Sequence, residues 1–192
     1  MNTLYPIFLK AEQLEFLVVG GGYVALEKLS FLYKSSPEAK VTLIAPFVRS
    51  ETLDFIKEKP VTVIKKEYQE SDLENKNIVI ATTDSEAVNL KVNLDCKKRK
   101  ILVNVADTPD QCDFYMGSIV TKGNLKIGIS TNGKSPTLAK RMRQFLEDIL
   151  PEEIDSLLET LRKYRKNLKN DFAYKVKEMN KVTASLIKTE ND

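Results

Sequence analysis

The chain has 192 residues, 42% hydrophobic and 30% charged, with a net charge of +3: enough apolar material for a packed core plus an appendage, and too little positive charge for a nucleic-acid partner. Two cysteines and no histidine exclude a structural zinc site, which takes about four Cys or His ligands, and leave acid–base chemistry to Asp, Glu, Lys, Tyr, Cys or a hydroxyl. No apolar run approaches the ~20 residues of a membrane span, and residues 1–10 lack a basic segment followed by an apolar one, so the expected place is the cytoplasm, with no membrane partner and both thiols reduced.

In chain order, Leu14–Val19 is an apolar run ending in glycines and reads as a buried strand. Tyr23 to about Tyr33 carries Val24, Ala25, Leu29 and Leu32 at helical spacing, and Ser35-Ser36-Pro37 ends it. Lys40–Ile44 is a second strand closed by Pro46, and Arg49–Lys59 a helix with Leu53 and Ile56 inward. Val61–Ile64 and Ile78–Ala81 are the third and fourth strands. Asp84 is placed to cap a helix running to about Lys98, with Val88 and Val92 on its apolar face. Ile101–Val105 is a fifth strand. After Asp113 the rhythm changes: Ser118–Thr121 and Leu125–Ser130 flank the turn Lys122-Gly123-Asn124 and predict an antiparallel hairpin. Ser135 caps and Pro136 opens a helix carrying Leu138, Met142, Phe145 and Ile149, which Pro151 ends. From Glu152 to Ile187 an amphipathic helical stretch follows, with Ile154, Leu158, Leu161, Leu168, Val176 and Met179 as candidates for one face. The expected fold is α/β: a Rossmann-like, doubly wound parallel sheet over 1–113, a hairpin-and-helix module over 114–150, and a helical C-terminal segment over 151–192.

Gly20, Gly22 and Ala25 satisfy G-x-G-x-x-A, in the context that motif requires, after an apolar strand and at a helix start. The small residues serve a tight turn, close approach of a pyrophosphate and helix–strand packing, and the helix N-terminus offers free N–H groups to phosphate. A tight turn without a ligand is the plainer reading of the same pattern. The acid that holds the ribose hydroxyls at the end of the second strand in many such sites is missing: the stretch is Ile44-Ala45-Pro46-Phe47. Arg49 nearby suits a phosphorylated ribose, but the preferred reading is a solvated helix start, so the motif alone leaves NAD against NADP open. Ligands of such sheets sit beyond the carboxyl ends of the strands. This singles out Gly20, Gly21, Gly22, Tyr23 and Val24; Ala45, Pro46 and Phe47; Thr82, Thr83 and Asp84; and Asn104, Val105 and Asp107. Asp84 reads equally as a helix cap, and Asp107 as a turn residue before Pro109.

The chain resembles a family through several segments in order: Leu17-Val-Val-Gly-Gly-Gly-Tyr-Val-Ala25, Val41-Thr-Leu-Ile-Ala-Pro46, Ile80-Ala-Thr-Thr-Asp84 with Val88-Asn89, Val103-Asn-Val-Ala-Asp-Thr-Pro109 running to Cys112-Asp113-Phe114, and Ile129-Ser-Thr-Asn-Gly-Lys-Ser-Pro136 with Leu138-Ala139 and Arg141. These cover about residues 1–150 and look like the precorrin-2 dehydrogenases, the N-terminal module of siroheme synthases and its yeast relative. The resemblance implies NAD as cofactor, oxidation of precorrin-2 to sirohydrochlorin and, in some members, insertion of ferrous iron as a second substrate. It implies that Asp107 matches the family's catalytic aspartate, that the glycine loop with Tyr23 and Val24 and the Pro46-Phe47 turn hold the cofactor, that Ala45-Pro46 is the usual form of that turn, and that the hairpin and following helix are a homodimerisation module. Departures are Gly117 where the family usually has Pro, Asn132 where it usually has Gly, and Gly123-Asn124 where it often has Ser-Pro. The methyltransferase domain of siroheme synthases has no counterpart in these residues.

A tetrapyrrole polycarboxylate needs cations and free N–H groups. Between Lys134 and Arg143 there are four basic residues and no acidic one. Asn104, Ser118, Thr131, Gly133, Lys134, Ser135 and Lys140 are the expected substrate contacts; a solvated helix face is an equal reading for Lys134 and Ser135 and the better one for Arg143. With no histidine present, Asp107 is the candidate to accept a proton or orient the ring, and no permanent metal site is expected. The competing readings are a dinucleotide sensor using the C-terminal helices as output, a chelatase without dehydrogenase activity, and an unrelated small Rossmann oxidoreductase.

Overall fold

The computed structural model describes residues 3–169 and 171–184; the end of the helical stretch expected up to Ile187 lies outside the described residues. Five strands, β1 Glu15–Val19, β2 Lys40–Ile44, β3 Val61–Ile64, β4 Ile78–Ala81 and β5 Leu102–Val105, form one parallel sheet in the order β3-β2-β1-β4-β5. Side chains alternate across each strand. On β1, Phe16 and Val18 join Leu29, Leu32 and Tyr33 of helix α1 (Tyr23–Ser35) and Ile56 of α2 (Ser50–Ile56). Leu17 and Val19 face the other way, to Val92 and Cys96 of α3 (Glu86–Arg99) with Tyr68 and Leu73. Each such side chain stabilises the fold by about 1.5–3 kcal/mol when fully buried, so the sheet is clad on both faces, as the near-continuous apolar strands require. The register sets Val19 beside Ile44 and Ala81, and Ala81 beside Val105. The carboxyl ends of four strands are therefore level, and strand order reverses between β1 and β4, where α/β sheets hold their ligands.

Ser85, not Asp84, caps α3: its hydroxyl accepts from the Val88 N–H, and Asp84 is exposed one residue outside. A cap side chain must reach the N2 or N3 amide, and with the helix starting at Glu86 only Ser85 stands at that offset. Lys97, Lys98 and Arg99 lie in the last turn of α3, where cations complement the helix dipole, and Lys100 leaves it in a left-handed conformation. One-turn 3-10 helices at Ala11–Gln13, Glu70–Leu73 and Pro109–Gln111 are too short for a periodic signal.

The two edges of the sheet differ. Along β5, the Asp113 N–H donates to Val103 O at 2.8 Å, the Val103 N–H to Asp113 Oδ2 at 3.1 Å and the Val105 N–H to Cys112 Sγ at 3.3 Å. Asp113 is itself paired with Lys97. Along β3, Thr62 and Ile64 are exposed between Lys57, Lys59, Lys65 and Lys66.

By contact density the chain forms two compact units: one is the chain up to Ser118 with Gly128–Ala139, the other Ile119–Ile127 with the chain from Lys140 onward. The expected hairpin is present as β6 Ser118–Lys122 and β7 Leu125–Ile129, a sheet of its own. Its turn has Gly123 at φ +53°, and the Asp155 carboxylate accepts from the backbone and side-chain N–H groups of Asn124 at 2.7 and 2.8 Å. Helix α4 runs Pro136–Ile149. The long helical stretch expected after Glu152 is instead two helices, α5 Ile154–Asn167 and α6 Phe172–Thr183. The break comes where Leu168 turns extended (ψ 118°) and Asp171 caps α6, its carboxylate accepting from the Tyr174 N–H at 2.8 Å. Neither helix buries a side chain fully; of the expected face Val176 is exposed and the others are half-buried.

Candidate dinucleotide and substrate site

The residues just past the strands extend the ladder by one step. The Gly20 N–H donates to Ile44 O at 2.9 Å, Thr82 N–H to Val19 O at 2.8 Å, and Ala106 N–H to Ala81 O at 3.0 Å. This brings Ala45, the glycine loop, Thr82 and the Ala106-Asp107 corner into one row along the carboxyl edge. Gly20 has φ +115°, and a Cβ there would lie 2.7 Å from Thr82 Oγ1. A Cβ on Gly21 would meet Phe47 O at 2.6 Å. Neither position admits a side chain. Gly22 is different: a Cβ on it meets nothing within 4 Å. It caps α1 with no side-chain hydrogen bond to the first-turn N–H groups. The 47–52 segment is tied to this loop by Arg49 N–H donating to Gly21 O at 3.0 Å and Thr52 Oγ1 to Gly22 O at 3.3 Å. Ala45 is buried, Pro46, Phe47 and Tyr23 are exposed, and Val24 is half-buried.

Arg49 departs from the solvated helix start expected of it. Its guanidinium lies 3.9 Å over the Tyr23 ring, and its Nη2 donates to Tyr23 Oη at 2.7 Å and Glu51 Oε1 at 3.4 Å. The ring offers a face to the cation that water cannot match. Glu51 is held down to about 2 by its own backbone N–H, with Arg49 and Ser50 assisting.

At the fourth and fifth strands the polar side chains split into braces and open groups. Thr82 is buried and donates to Val19 O at 3.0 Å. Thr83 is pinned by Asn89, whose Oδ1 accepts from the Thr83 hydroxyl at 2.7 Å and whose Nδ2 donates to Thr83 O at 2.9 Å. Asn104 is buried and gives its amide to Phe114 O at 2.8 Å and Cys112 Sγ at 3.4 Å. The Cys112 thiol is within 3.2 Å of Val105 O, and burial pushes its pKa up, so it sits there as a protonated donor. These contacts hold the 104–114 corner with Val105 buried beneath it. Asp107 is the open group: exposed, with φ +56°, a left-handed conformation that costs a non-glycine residue energy and that Asp tolerates better than most. Asn89, Cys112 and Glu51 are supporting residues to which the sequence assigned no role in the site, although Asn89 and Cys112 stand in the family-like segments.

The 131–135 loop belongs to the same compact unit. Thr131 Oγ1 accepts from the Ser135 N–H and donates to Ser135 O, both at 3.1 Å, while Asn132 and Gly133 take φ +55° and +75°. Ser135 caps α4 as expected, accepting from the Leu138 N–H at 3.2 Å. Gly133 and Lys134 are exposed, Ser118 half-buried. Lys140 is exposed on α4 but belongs to the other unit. Among the described residues no three His, Cys, Asp or Glu side chains gather as a metal site.

The family described as putative NAD(P)-binding matches residues 7–118, and the sirohaem biosynthesis protein central family matches residues 122–149. The chain belongs to the siroheme synthase N-terminal module family. It is 39% identical over 170 residues to a siroheme synthase of Psychrobacter sp. (strain PRwf-1), covering 88% of this chain and 34% of that one. It is 38% identical over 169 residues to a siroheme synthase of Pseudoalteromonas translucida (strain TAC 125), covering 88% and 35%. The chain thus spans about a third of the length of these relatives. Among solved structures it is similar to SirC, a precorrin-2 dehydrogenase, with a TM-score of 0.69 and 26% identity over 93% of this chain and 89% of that one.

The residues present fit the NAD(P) that this siroheme synthase module family binds. The room a Gly22 side chain would fill is empty, the N–H groups behind it have no side-chain cap, and a pyrophosphate approaching there meets backbone donors and the positive end of α1. Gly20–Val24, Ala45–Phe47 and Thr82 follow directly on the carboxyl ends of β1, β2 and β4. No helix among the described residues is long and apolar enough to cross a membrane.

Proposed function

We propose that this chain is a precorrin-2 dehydrogenase, oxidising precorrin-2 to sirohydrochlorin with NAD⁺ in siroheme biosynthesis. The observation that carries the reading is Asp107: a carboxylate held out in a left-handed corner at the end of β5, one strand from the glycine-loop switch point. The likeness to SirC over most of both chains supports it.

The bound dinucleotide supplies the two-electron acceptor. The chain's part is to hold and orient. Gly20–Val24 and Ala45–Phe47 seat the cofactor through backbone groups, and the braced Thr82–Asp84 segment borders it. Asn104, fixed to Phe114 and Cys112, keeps the β5 corner in place so that Asp107 faces the substrate. Its carboxylate takes the proton released when the macrocycle loses a C–H and an N–H hydrogen, or fixes the ring by accepting from a pyrrole N–H. Substrate carboxylates meet Lys134 beside the Thr131–Ser135 loop, in which Asn132 and Gly133 take left-handed backbone. The two free thiols accord with a reducing compartment such as the cytoplasm.

The test is Asp107→Asn, assayed by absorbance with precorrin-2 and NAD⁺ and by titration with NADH. NADH binding is expected within about twofold of the parent, while turnover falls by ~100-fold or more. Near-normal turnover removes Asp107 from the reaction. Failure of the parent chain to oxidise precorrin-2 with either NAD⁺ or NADP⁺ overturns the dehydrogenase reading.

A homodimer is part of the proposal. Leu138, Met142, Phe145 and Ile149 form an exposed apolar stripe along α4, a surface that a monomer in water rarely leaves bare. Phe145→Asp is expected to turn a dimer into a monomer in sedimentation at micromolar concentration. A parent chain that sediments as a monomer there ends this part of the reading.

A further inference from the structure

Tyr23, Arg49 and Glu51 form a bonded cluster beside the glycine loop. We propose that it selects at the adenosine end of the dinucleotide: Arg49 seats a 2′-phosphate and Glu51 receives an unphosphorylated ribose, so that the chain takes NADP(H) as well as NAD(H). This rests on the NAD(P)-binding reading of the glycine loop and asks which dinucleotides that loop admits.

The residue that reads the ribose in such sites stands just past the second strand. Ala45 is there, buried and without a polar group. The nearest polar side chains that the fold ties to the loop are those of Tyr23, Arg49 and Glu51. The tie is stiff: the Arg49 N–H donates to Gly21 O, and the carbonyl of Phe47, two residues before Arg49, is so close to Gly21 that a Cβ could not enter. The guanidinium cannot wander, because it is stacked on Tyr23 and bonded through Nη2 to both Tyr23 Oη and Glu51. Among the described residues its bonds all run through Nη2, which leaves Nη1 unengaged. Arg49 Nε is buried without a hydrogen-bond partner among the described residues, an arrangement that costs energy. A fixed guanidinium with unused donors matches a phosphate by geometry as well as charge.

Glu51 opposes this choice. Its carboxylate stays ionised at neutral pH, 3.4 Å from the guanidinium. It accepts hydrogen bonds from a ribose diol and repels a phosphate dianion. One residue of each sign at the same corner makes a balanced selector, in contrast to sites with a lone acid, which exclude the 2′-phosphate.

The experiment is calorimetric titration of the purified chain with NADH and NADPH separately. The parent is expected to bind the two with dissociation constants within about tenfold of each other, a difference of ~1.4 kcal/mol or less. Arg49→Ala weakens NADPH by about tenfold or more and NADH by less than threefold, and Arg49→Lys, which keeps the charge but not the fork, falls between. Glu51→Gln tightens NADPH relative to NADH. Circular dichroism of each variant matches the parent. Arg49→Ala affecting both dinucleotides equally, or neither, overturns the selector while leaving the glycine-loop reading intact. A parent that binds neither dinucleotide overturns both.

Discussion

At the glycine loop every position but one is pressed against a neighbour. Gly20 touches Thr82, Gly21 touches Phe47 and Val48, and only Gly22 opens outward. Along the same strand-end row, the β5 corner carries its functional group in the opposite manner. Asp107 stands exposed in a left-handed backbone, with Asn104, Cys112 and Thr108 bracing it from below. The first region makes a ligand-shaped space by omitting side chains. The second makes a reactive position by projecting one and absorbing the strain beneath it. A shared cofactor needs only generic contacts to phosphate, which backbone supplies. A particular substrate needs a particular side chain, and loops that carry one pay in backbone energy.

The largest effect that would break this comparison comes from filling the first region. Gly20→Val forces an L side chain into φ +115° and against Thr82; it is expected to abolish NADH binding and to lower unfolding free energy by about 2–4 kcal/mol. Denaturant unfolding and NADH titration read both, and a variant that retains binding would mean the loop is looser than its packing.

Next is the floor under the second region. Cys96 is fully buried in the layer that includes Val103 and Val105, and burial lifts its thiol to about 12. The folded state therefore keeps a proton that the unfolded chain releases near ~8.5. Its stabilising share is intact below that pH and is lost as pH rises toward the folded value, at about 1.4 kcal/mol per pH unit. Cys96→Ala is expected to cost about 1–2 kcal/mol at neutral pH through the cavity it leaves, yet to flatten the alkaline fall in stability. Parallel alkaline limbs for parent and variant would show that water reaches this floor.

The smallest effect sharpens the contrast. Asp107→Gly relieves the left-handed strain, and stability is expected to rise by up to ~1 kcal/mol while turnover is lost. A destabilised variant would mean that Asp107 contributes to the fold as well as to the reaction.

Much of this was legible in the sequence where periodicity or motif is strong. β2, β3 and β4 fall on the expected residues, and Ser135-Pro136 opens α4 as its cap chemistry dictates. The glycine loop was readable because a tight turn, a close approach and a helix start each demand a residue type at a fixed offset. What was not readable depends on partners distant in sequence. Ser85 displaced Asp84 as the cap by a one-residue shift in the start of α3. The break between α5 and α6 carries no proline or glycine to announce it. Arg49 resembled a solvated helix start because the ring it lies on is 26 residues away. The left-handed backbone at Asp107 leaves no trace in a pattern of side chains.

The paired β5 edge of the large sheet has a consequence for how this module meets others. With β5 paired along its outer side by Cys112 and Asp113, that edge offers no open row of backbone donors and acceptors to a foreign strand, and lysines flank the other edge strand, β3. Association at that end of the sheet is channelled to side-chain surfaces, where shape decides the match, and a neighbouring domain there meets no strand ready to extend the sheet past β5.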